Sequence, residues 1–126
     1  MCIRDRVTAD HSHTLTISGY PRRGNPILGT AESVLGELNK DAMGRAYTTL
    51  GYANGPGYQA EIPDLTEVDT EDRDYLQIAA VPMGAETHAG EDVAAYARGP
   101  NADAMRGVIE QNELYFVLRG ALFDED

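Results

Sequence analysis

The amino-acid sequence predicts an α/β fold, because strand-like segments and one amphipathic helical stripe occur together. Five segments carry a strand signal: Val7–Ala9, Thr14–Ser18, Ala46–Ala53, Tyr75–Val81 and Val93–Ala97. Five apolar residues at helical spacing mark a final helix: Leu114, Val117, Leu118, Ala121 and Leu122. With 13 Gly and no Trp among 126 residues, the chain is expected to form one piece of a larger core.

The first strand is predicted to place two polar residues at an edge of the sheet. Val7–Ala9 has the character of the end of a buried strand, with Asp10 and His11 directly after it. In open α/β sheets, ligands bind at the carboxyl ends of the strands. Thr14–Ser18 alternates polar and apolar residues, which predicts a half-buried strand.

The middle of the chain is predicted to contain loops and one short helix. Gly19–Gly29 is a loop, and Thr30–Lys40 has apolar residues on one helical face. Asn54–Gly57 reads Asn-Gly-Pro-Gly, which predicts a turn. The acidic segment Ile62–Asp74 is interpreted as a solvated surface loop, with a calcium site as the alternative. Near the carboxyl end, a break is expected at Gly107–Gln111, after which the Asn112 side chain caps the final helix.

Charge and hydropathy argue against nucleic-acid binding and against a membrane-spanning segment. The net charge of −11 argues against nucleic-acid binding through a basic patch. No apolar run approaches the roughly 20 residues of a membrane span, so no transmembrane segment is expected. The acidic balance fits a secreted or periplasmic protein.

All three histidines fall in two short motifs separated by most of the chain. Thr8–His13 reads Thr-Ala-Asp-His-Ser-His, and Glu86–Asp92 reads Glu-Thr-His-Ala-Gly-Glu-Asp. Imidazole nitrogen and carboxylate oxygen both suit Zn²⁺, whose filled d shell imposes little geometry. Adjacent Asp10 and His11 can face one metal only where the backbone turns, as it does at a strand end. The two motifs therefore predict a zinc site.

Three segments resemble the carboxy-terminal part of alkaline phosphatase, and the animal-type branch of that family is the nearer match. They are Val7–Tyr20, Ala46–Tyr58 and Ala79–Pro100, and the likeness runs from Val7 to about Leu122. The resemblance implies a three-layer α/β/α sandwich, with core segments at residues 7–19 and 85–126. Residues 20–84 would resemble the crown, a β-rich insertion at the interface of the animal-type homodimer.

The resemblance also implies two Zn²⁺ ions and one Mg²⁺ beside a nucleophilic serine. Asp10 and His11 resemble ligands of the zinc that activates the nucleophile, and His88 resembles a ligand of the other zinc. His13 matches a histidine that bonds a ligating carboxylate from the second shell. Glu91 and Asp92 are interpreted as local structure that holds the His88 loop. Two zincs about 4 Å apart stabilise the entering and leaving oxygens of phosphoryl transfer.

The likeness places the serine, the phosphate-binding arginine and most of the magnesium ligands upstream of Val7. The expected function is therefore that of a carboxy-terminal piece of an enzyme that hydrolyses phosphate monoesters through a phosphoserine, inactive by itself. Residues 1–6, Met-Cys-Ile-Arg-Asp-Arg, resemble the translation of a sequencing adapter and are set apart from the fold. Without Cys2 the remaining sequence has no cysteine, so no disulfide is expected.

Two other functions remain open from the sequence. A phosphodiesterase or sulfatase of the same superfamily would share the Asp-His metal pair. A stand-alone zinc-binding or interaction module would instead melt cooperatively and gain stability from Zn²⁺.

Overall fold

A computed structural model describes residues 5–123, which form two compact units. Cys2 and the rest of residues 1–4 lie outside the described residues, as does the acidic tail at 124–126. One unit combines residues 5–11 with residues 92–123, and the other comprises residues 12–91. The elements are β1 (Asp5–Thr8), β2 (Leu15–Ile17), β3 (Leu50–Gly55), β4 (Ala79–Pro82), β5 (Ala95–Arg98), a short 3-10 helix (Ala102–Ala104) and α1 (Glu113–Phe123).

In the first unit, β1 and β5 form an antiparallel pair in which Val7 lies opposite Tyr96. The Thr8 hydroxyl donates a hydrogen bond of 3.1 Å to the carbonyl of Ala94. β1 begins at Asp5, so Asp5 and Arg6 of the adapter-like residues 1–6 belong to the strand. A strand thus leads to Asp10 as predicted, but the prediction that it is buried is wrong, because Val7 is 63% exposed.

The final helix α1 lies where the apolar stripe predicts it, after a break at which Gly107 has a φ of 70°. The backbone carbonyl of Asn112 accepts a hydrogen bond of 3.3 Å from the Tyr115 N–H. Among the described residues, the Asn112 side chain makes no capping hydrogen bond, so the predicted side-chain cap is wrong. The Glu113 carboxylate instead accepts the Glu110 N–H at 2.9 Å, which fixes the turn that enters the helix.

The second unit is built on a mixed three-stranded sheet in the order β2–β3–β4. β2 runs antiparallel to β3, with Leu15 opposite Tyr52, and β4 runs parallel to β3, with Asn54 opposite Val81. All three residues of β2 are exposed, so the half-buried strand predicted here is wrong in its burial. Alternation assigns side chains to two faces, but it cannot tell whether another layer covers either face.

The helix predicted over residues 30–40 is wrong. This stretch folds instead into successive antiparallel bridges, Thr30 with Thr48, Glu32 with Leu38 and Lys40 with Ala46. The Ser33 hydroxyl accepts the N–H groups of Leu35 and Glu37, at 3.2 and 3.3 Å. Side-chain hydrogen bonds of this kind offer the backbone an alternative to a helix.

Two other predictions for the second unit need smaller corrections. Asn54 and Gly55 end β3, so the turn predicted at residues 54–57 is confined to Pro56 and Gly57. A Cβ atom at Gly57 would collide with the carbonyl of Gln77, so only glycine fits there. β4 is shorter than the strand predicted from Tyr75, and residues 62–74 form neither strand nor helix, as expected of a loop.

The hydrophobic core of the described residues is small, as the composition predicts. The buried apolar residues of the second unit are Ala31, Ala46, Leu50, Leu65 and Ala79, and that of the first unit is Ala121. No large side chain among residues 5–123 is fully buried. The mixture of strands and one helix agrees with the predicted α/β class. Within the same residues, none of the helices has the length and apolar character needed to cross a membrane.

Candidate metal centre

Asp10 and His11 follow β1 and lie side by side. Asp10 Oδ2 and His11 Nε2 are 3.2 Å apart, and the two side chains are 81% and 23% exposed. The Gln111 side chain donates a hydrogen bond of 3.4 Å to the Asp10 carbonyl. This bond joins the residues after β1 to the residues just before α1 in the same unit. The backbone turn after β1 therefore lets two consecutive side chains point to the same place.

The spacing of these two donor atoms fits a shared zinc ion. Zinc ligands lie about 2.0–2.2 Å from the metal in a tetrahedral arrangement, which places two donors roughly 3.4 Å apart. The observed 3.2 Å is close to that value. One carboxylate oxygen and one imidazole nitrogen are also the donor types that zinc accepts. This pair could thus hold two of the four positions around one ion.

His13 and His88 are brought together in the second unit, although 75 residues separate them along the chain. Their ring centroids are 6.1 Å apart with an interplanar angle of 73°, so one ring faces the edge of the other. Ser12 and Ala89 form an antiparallel bridge, in which the Ala89 N–H donates to the Ser12 carbonyl at 3.0 Å. The two histidine motifs are thus joined through their backbones.

Thr14, which directly follows His13, has a strained backbone conformation. Its φ of 61° is left-handed, a conformation that costs a β-branched residue roughly 1–2 kcal/mol. Hydrogen bonds on both sides hold it, since its N–H donates to the Ser12 hydroxyl and its carbonyl accepts from Ala53. The sequence gives no signal of this reversal, because threonine is not a residue that marks positive φ.

The His88 loop is fixed to the end of β3 by contacts that sequence reasoning missed. Asn54 Oδ1 accepts the Thr87 N–H at 2.9 Å, and Asn54 Nδ2 donates to the Thr87 hydroxyl at 2.9 Å. A Cβ atom at Gly55 would lie 3.2 Å from a carboxylate oxygen of Glu86, so glycine allows Glu86 to approach the strand. The Asn-Gly pair predicts a turn, but Asn54 bonds to a residue 33 positions away.

The alkaline phosphatase family profile matches residues 6–123 of the chain. The chain belongs to the alkaline phosphatase family. The resemblance predicted from the two histidine motifs is therefore confirmed, and the match includes Asp10, His11, His13 and His88.

Animal alkaline phosphatases are among the similar proteins. The chain is 47% identical over 109 residues to the tissue-nonspecific isozyme of Gallus gallus, covering 84% of this chain and 20% of that protein. It is 45% identical over 109 residues to the alkaline phosphatase of Gadus morhua, covering 84% of this chain and 22% of that protein. The Felis catus tissue-nonspecific isozyme is 44% identical over 115 residues, or 89% of this chain and 21% of the relative. The chain thus spans about a fifth of the length of these relatives.

The loop that carries His88 is held differently from the prediction. The side chains of Glu91 and Asp92 are exposed and make no hydrogen bond or ion pair with another described residue. Asn54 and Ser12 supply the ties in their place, one before His88 and one after it.

The described part of the chain does not gather a complete ligand set. Within residues 5–123, no group of three or more His, Cys, Asp or Glu side chains is placed to hold a metal ion. The chain presents two local pairs, Asp10 with His11 and His13 with His88. Their assignment to particular zinc ions remains a prediction.

The second unit contains a cavity of about 520 Å³. Tyr47, Tyr52 and Tyr58 line it together with small and aliphatic residues such as Ala46, Leu65 and Ile78. None of the predicted metal ligands lines this cavity, so it is not part of the candidate centre.

Proposed function

We propose that this chain is part of a longer alkaline phosphatase that hydrolyses phosphate monoesters through a phosphoserine intermediate. Asp10 and His11 are proposed ligands of one zinc, and His88 is a proposed ligand of a second. His13 would support a ligating carboxylate from the second shell. The observation that carries the proposal is the family match over residues 6–123, which spans all four residues. The 3.2 Å spacing of the Asp10 and His11 donor atoms supports it.

When bound, zinc would lower the pKa of the serine hydroxyl and stabilise the oxygens of the transferred phosphoryl group. This chain's contribution is to orient the donor atoms. The turn after β1 directs Asp10 and His11 to one point, and ties on both sides of His88 hold that imidazole near His13. Ligands fixed in advance in this way bind a metal without reordering the backbone.

Further features are proposed on the strength of the family alone. They are a magnesium ion held mostly by residues outside this chain, a three-layer α/β/α core, a crown-like insertion at residues 20–84, a homodimer, and secretion or export to the periplasm. The serine nucleophile is also proposed to lie elsewhere in the longer protein. A chain that supplies two ligands to one zinc and one to another falls short of the three protein ligands of a catalytic zinc site. We therefore expect no turnover from the 126 residues alone.

A full-length chimera tests this function. Residues 7–123 replace the corresponding segment of the Gallus gallus relative, and hydrolysis of a phosphate monoester is measured with and without a chelator. The chimera is expected to be active, to lose activity on zinc removal and to regain it when zinc is returned. Asp10→Ala should lower kcat/KM by at least about 100-fold, because a ligating side chain matters more than its outer partners.

Asp69→Asn is the matched control, since Asp69 only accepts the Glu71 N–H in the acidic loop and asparagine can do the same. It should leave activity unchanged. A chimera that folds but prefers a phosphate diester or a sulfate ester would instead assign the chain to another branch of the superfamily. An active chimera that tolerates Asp10→Ala would refute the metal assignment.

A further inference from the structure

The loop that carries His88 is tied on both sides of that residue. The preceding residue, Thr87, is bonded to Asn54 through its backbone N–H and its hydroxyl, both at 2.9 Å. The following residue, Ala89, is bonded through its N–H to the Ser12 carbonyl at 3.0 Å. Two anchors separated by a single residue leave the His88 backbone little freedom to rotate.

Of the two anchors, Asn54 lies on a regular β-strand and Ser12 does not. Asn54 belongs to β3, where it pairs with Val81, and its neighbour Gly55 accepts the Met83 N–H at 3.3 Å. Ser12, by contrast, belongs to an isolated bridge two residues before the strained Thr14. The position of the His88 loop relative to the sheet is thus set at the end of β3.

We propose that Asn54 is a positioning residue for His88, which it holds through the two hydrogen bonds to Thr87, here named the Asn54–Thr87 clamp. The part of this inference that concerns zinc rests on the proposed function. Asn54 touches neither the metal nor the substrate in this role. Its amide is suited to the task because one side chain supplies both the acceptor and the donor that Thr87 requires.

Four variants of the 126-residue chain separate the clamp from general stability. Asn54→Ala removes both bonds, and Thr87→Val removes only the hydroxyl at an exposed position. Asn54→Asp keeps the acceptor for the Thr87 N–H, and its second oxygen can accept from the Thr87 hydroxyl once that hydroxyl rotates. Asn39→Ala is the control, because Asn39 lies in the same unit and bonds to Ala31 through its backbone N–H.

The first readout is metal-free and uses NMR. In Asn54→Ala, the Thr87 amide should exchange with solvent about tenfold faster or more, since its hydrogen bond is lost. The cross-relaxation between the His13 and His88 rings should weaken in Asn54→Ala and, to a smaller degree, in Thr87→Val. Asn54→Asp should restore both signals, and Asn39→Ala should change neither.

Unchanged exchange at Thr87 in Asn54→Ala would overturn the proposal. So would faster exchange spread evenly over β3 without any response to Thr87→Val, because Asn54 would then act on the strand rather than on the loop. Failure of Asn54→Asp to restore the contact between the His13 and His88 rings would also overturn the proposal.

The second readout is zinc retention by the full-length chimera, measured as metal content during dialysis against a chelator. Asn54→Ala should lose zinc about tenfold faster than the parent chimera, at the low end of the effects of outer-shell partners, and Asn54→Asp should not. If the exchange data support the clamp but zinc loss is unchanged, the role toward zinc is overturned. If the parent chimera retains no zinc at all, the proposed function fails, and the role of Asn54 toward zinc fails with it. The NMR result still decides whether the Asn54–Thr87 clamp positions His88.

Discussion

Asp64 accepts three hydrogen bonds through a single carboxylate oxygen. Its Oδ1 accepts bonds from the Thr66 hydroxyl at 2.7 Å, the Ala46 N–H at 2.8 Å and the Thr66 N–H at 3.2 Å. The Thr66 hydroxyl, followed by the Ala46 N–H, holds the pKa of Asp64 below its ordinary value of 3.8. Because the folded state favours the ionised form, this carboxylate stabilises the fold only while it is ionised.

This lowered pKa predicts an acid-dependent loss of stability in the second unit. Above pH 3.8 the contribution of Asp64 is complete, and it is lost as the pH falls through the lower pKa of the folded state. Asp64→Asn can keep the oxygen acceptor but has no charge to titrate. Stability is measured in the full-length chimera as urea midpoints between pH about 5 and about 3, and it should fall less steeply in Asp64→Asn than in the parent chimera.

Part of the pH dependence of stability should remain in Asp64→Asn, because Asp41 also titrates with a lowered pKa. Hydrogen bonds from the backbone and side chain of Arg45 lower the pKa of Asp41 as well. Equal slopes in the parent and in Asp64→Asn would show that the Asp64 bonds contribute no pH-dependent stability.

At the scale of elements, the bridged segment at residues 30–48 depends on glycines with left-handed backbones. Gly36 and Gly44 have φ values of 80° and 81°, and a Cβ atom at either would meet nothing within 4 Å. Any cost of adding a side chain is therefore backbone strain rather than collision. Gly84 is equally open, but its φ lies outside the left-handed region.

Gly36→Ala is therefore expected to destabilise the chain by roughly 1–2 kcal/mol, the cost of a left-handed conformation for an L-residue. Gly84→Ala is the matched control and should be neutral or slightly stabilising, because alanine reduces the entropy of the unfolded chain. Urea midpoints of the two variants in the full-length chimera decide between strain and collision. If both substitutions had the same effect, the positive φ at Gly36 would not be what shapes the turn.

The elements that the sequence predicts correctly are those whose signal is local. The apolar stripe of α1 and the motif that puts Asp10 and His11 after a strand are both contained within a few residues. The segment at 30–40 misleads because its apolar residues have helical spacing, while Ser33 and Gly36 favour a turn through hydrogen bonding and positive φ. The Asn54–Thr87 clamp could not be predicted, because it joins residues that are distant along the chain.

At the scale of the whole molecule, much apolar surface of the first unit is uncovered. Val7 and Tyr96 of the β1–β5 pair are exposed, and so are Phe116 and Leu122 of α1, at 64% and 66%. Only Ala121 of that helix is buried among the described residues. Under the proposed function, the rest of the longer enzyme covers the apolar stripe of α1. Substituting a residue on the stripe should then destabilise the full-length enzyme more than substituting an α1 residue that lies off the stripe.

Leu122 lies on the predicted stripe and Phe116 lies off it, although both are similarly exposed in this chain. Leu122→Ser and Phe116→Ser should therefore both leave the fold of the isolated chain unchanged, as judged by its amide spectrum. In the full-length chimera, Leu122→Ser should destabilise the protein by about 2–5 kcal/mol, the cost of truncating a buried leucine. Phe116→Ser should cost far less. Equal losses in the melting temperature of the chimera would mean that the stripe is not the face of α1 that the rest of the enzyme covers.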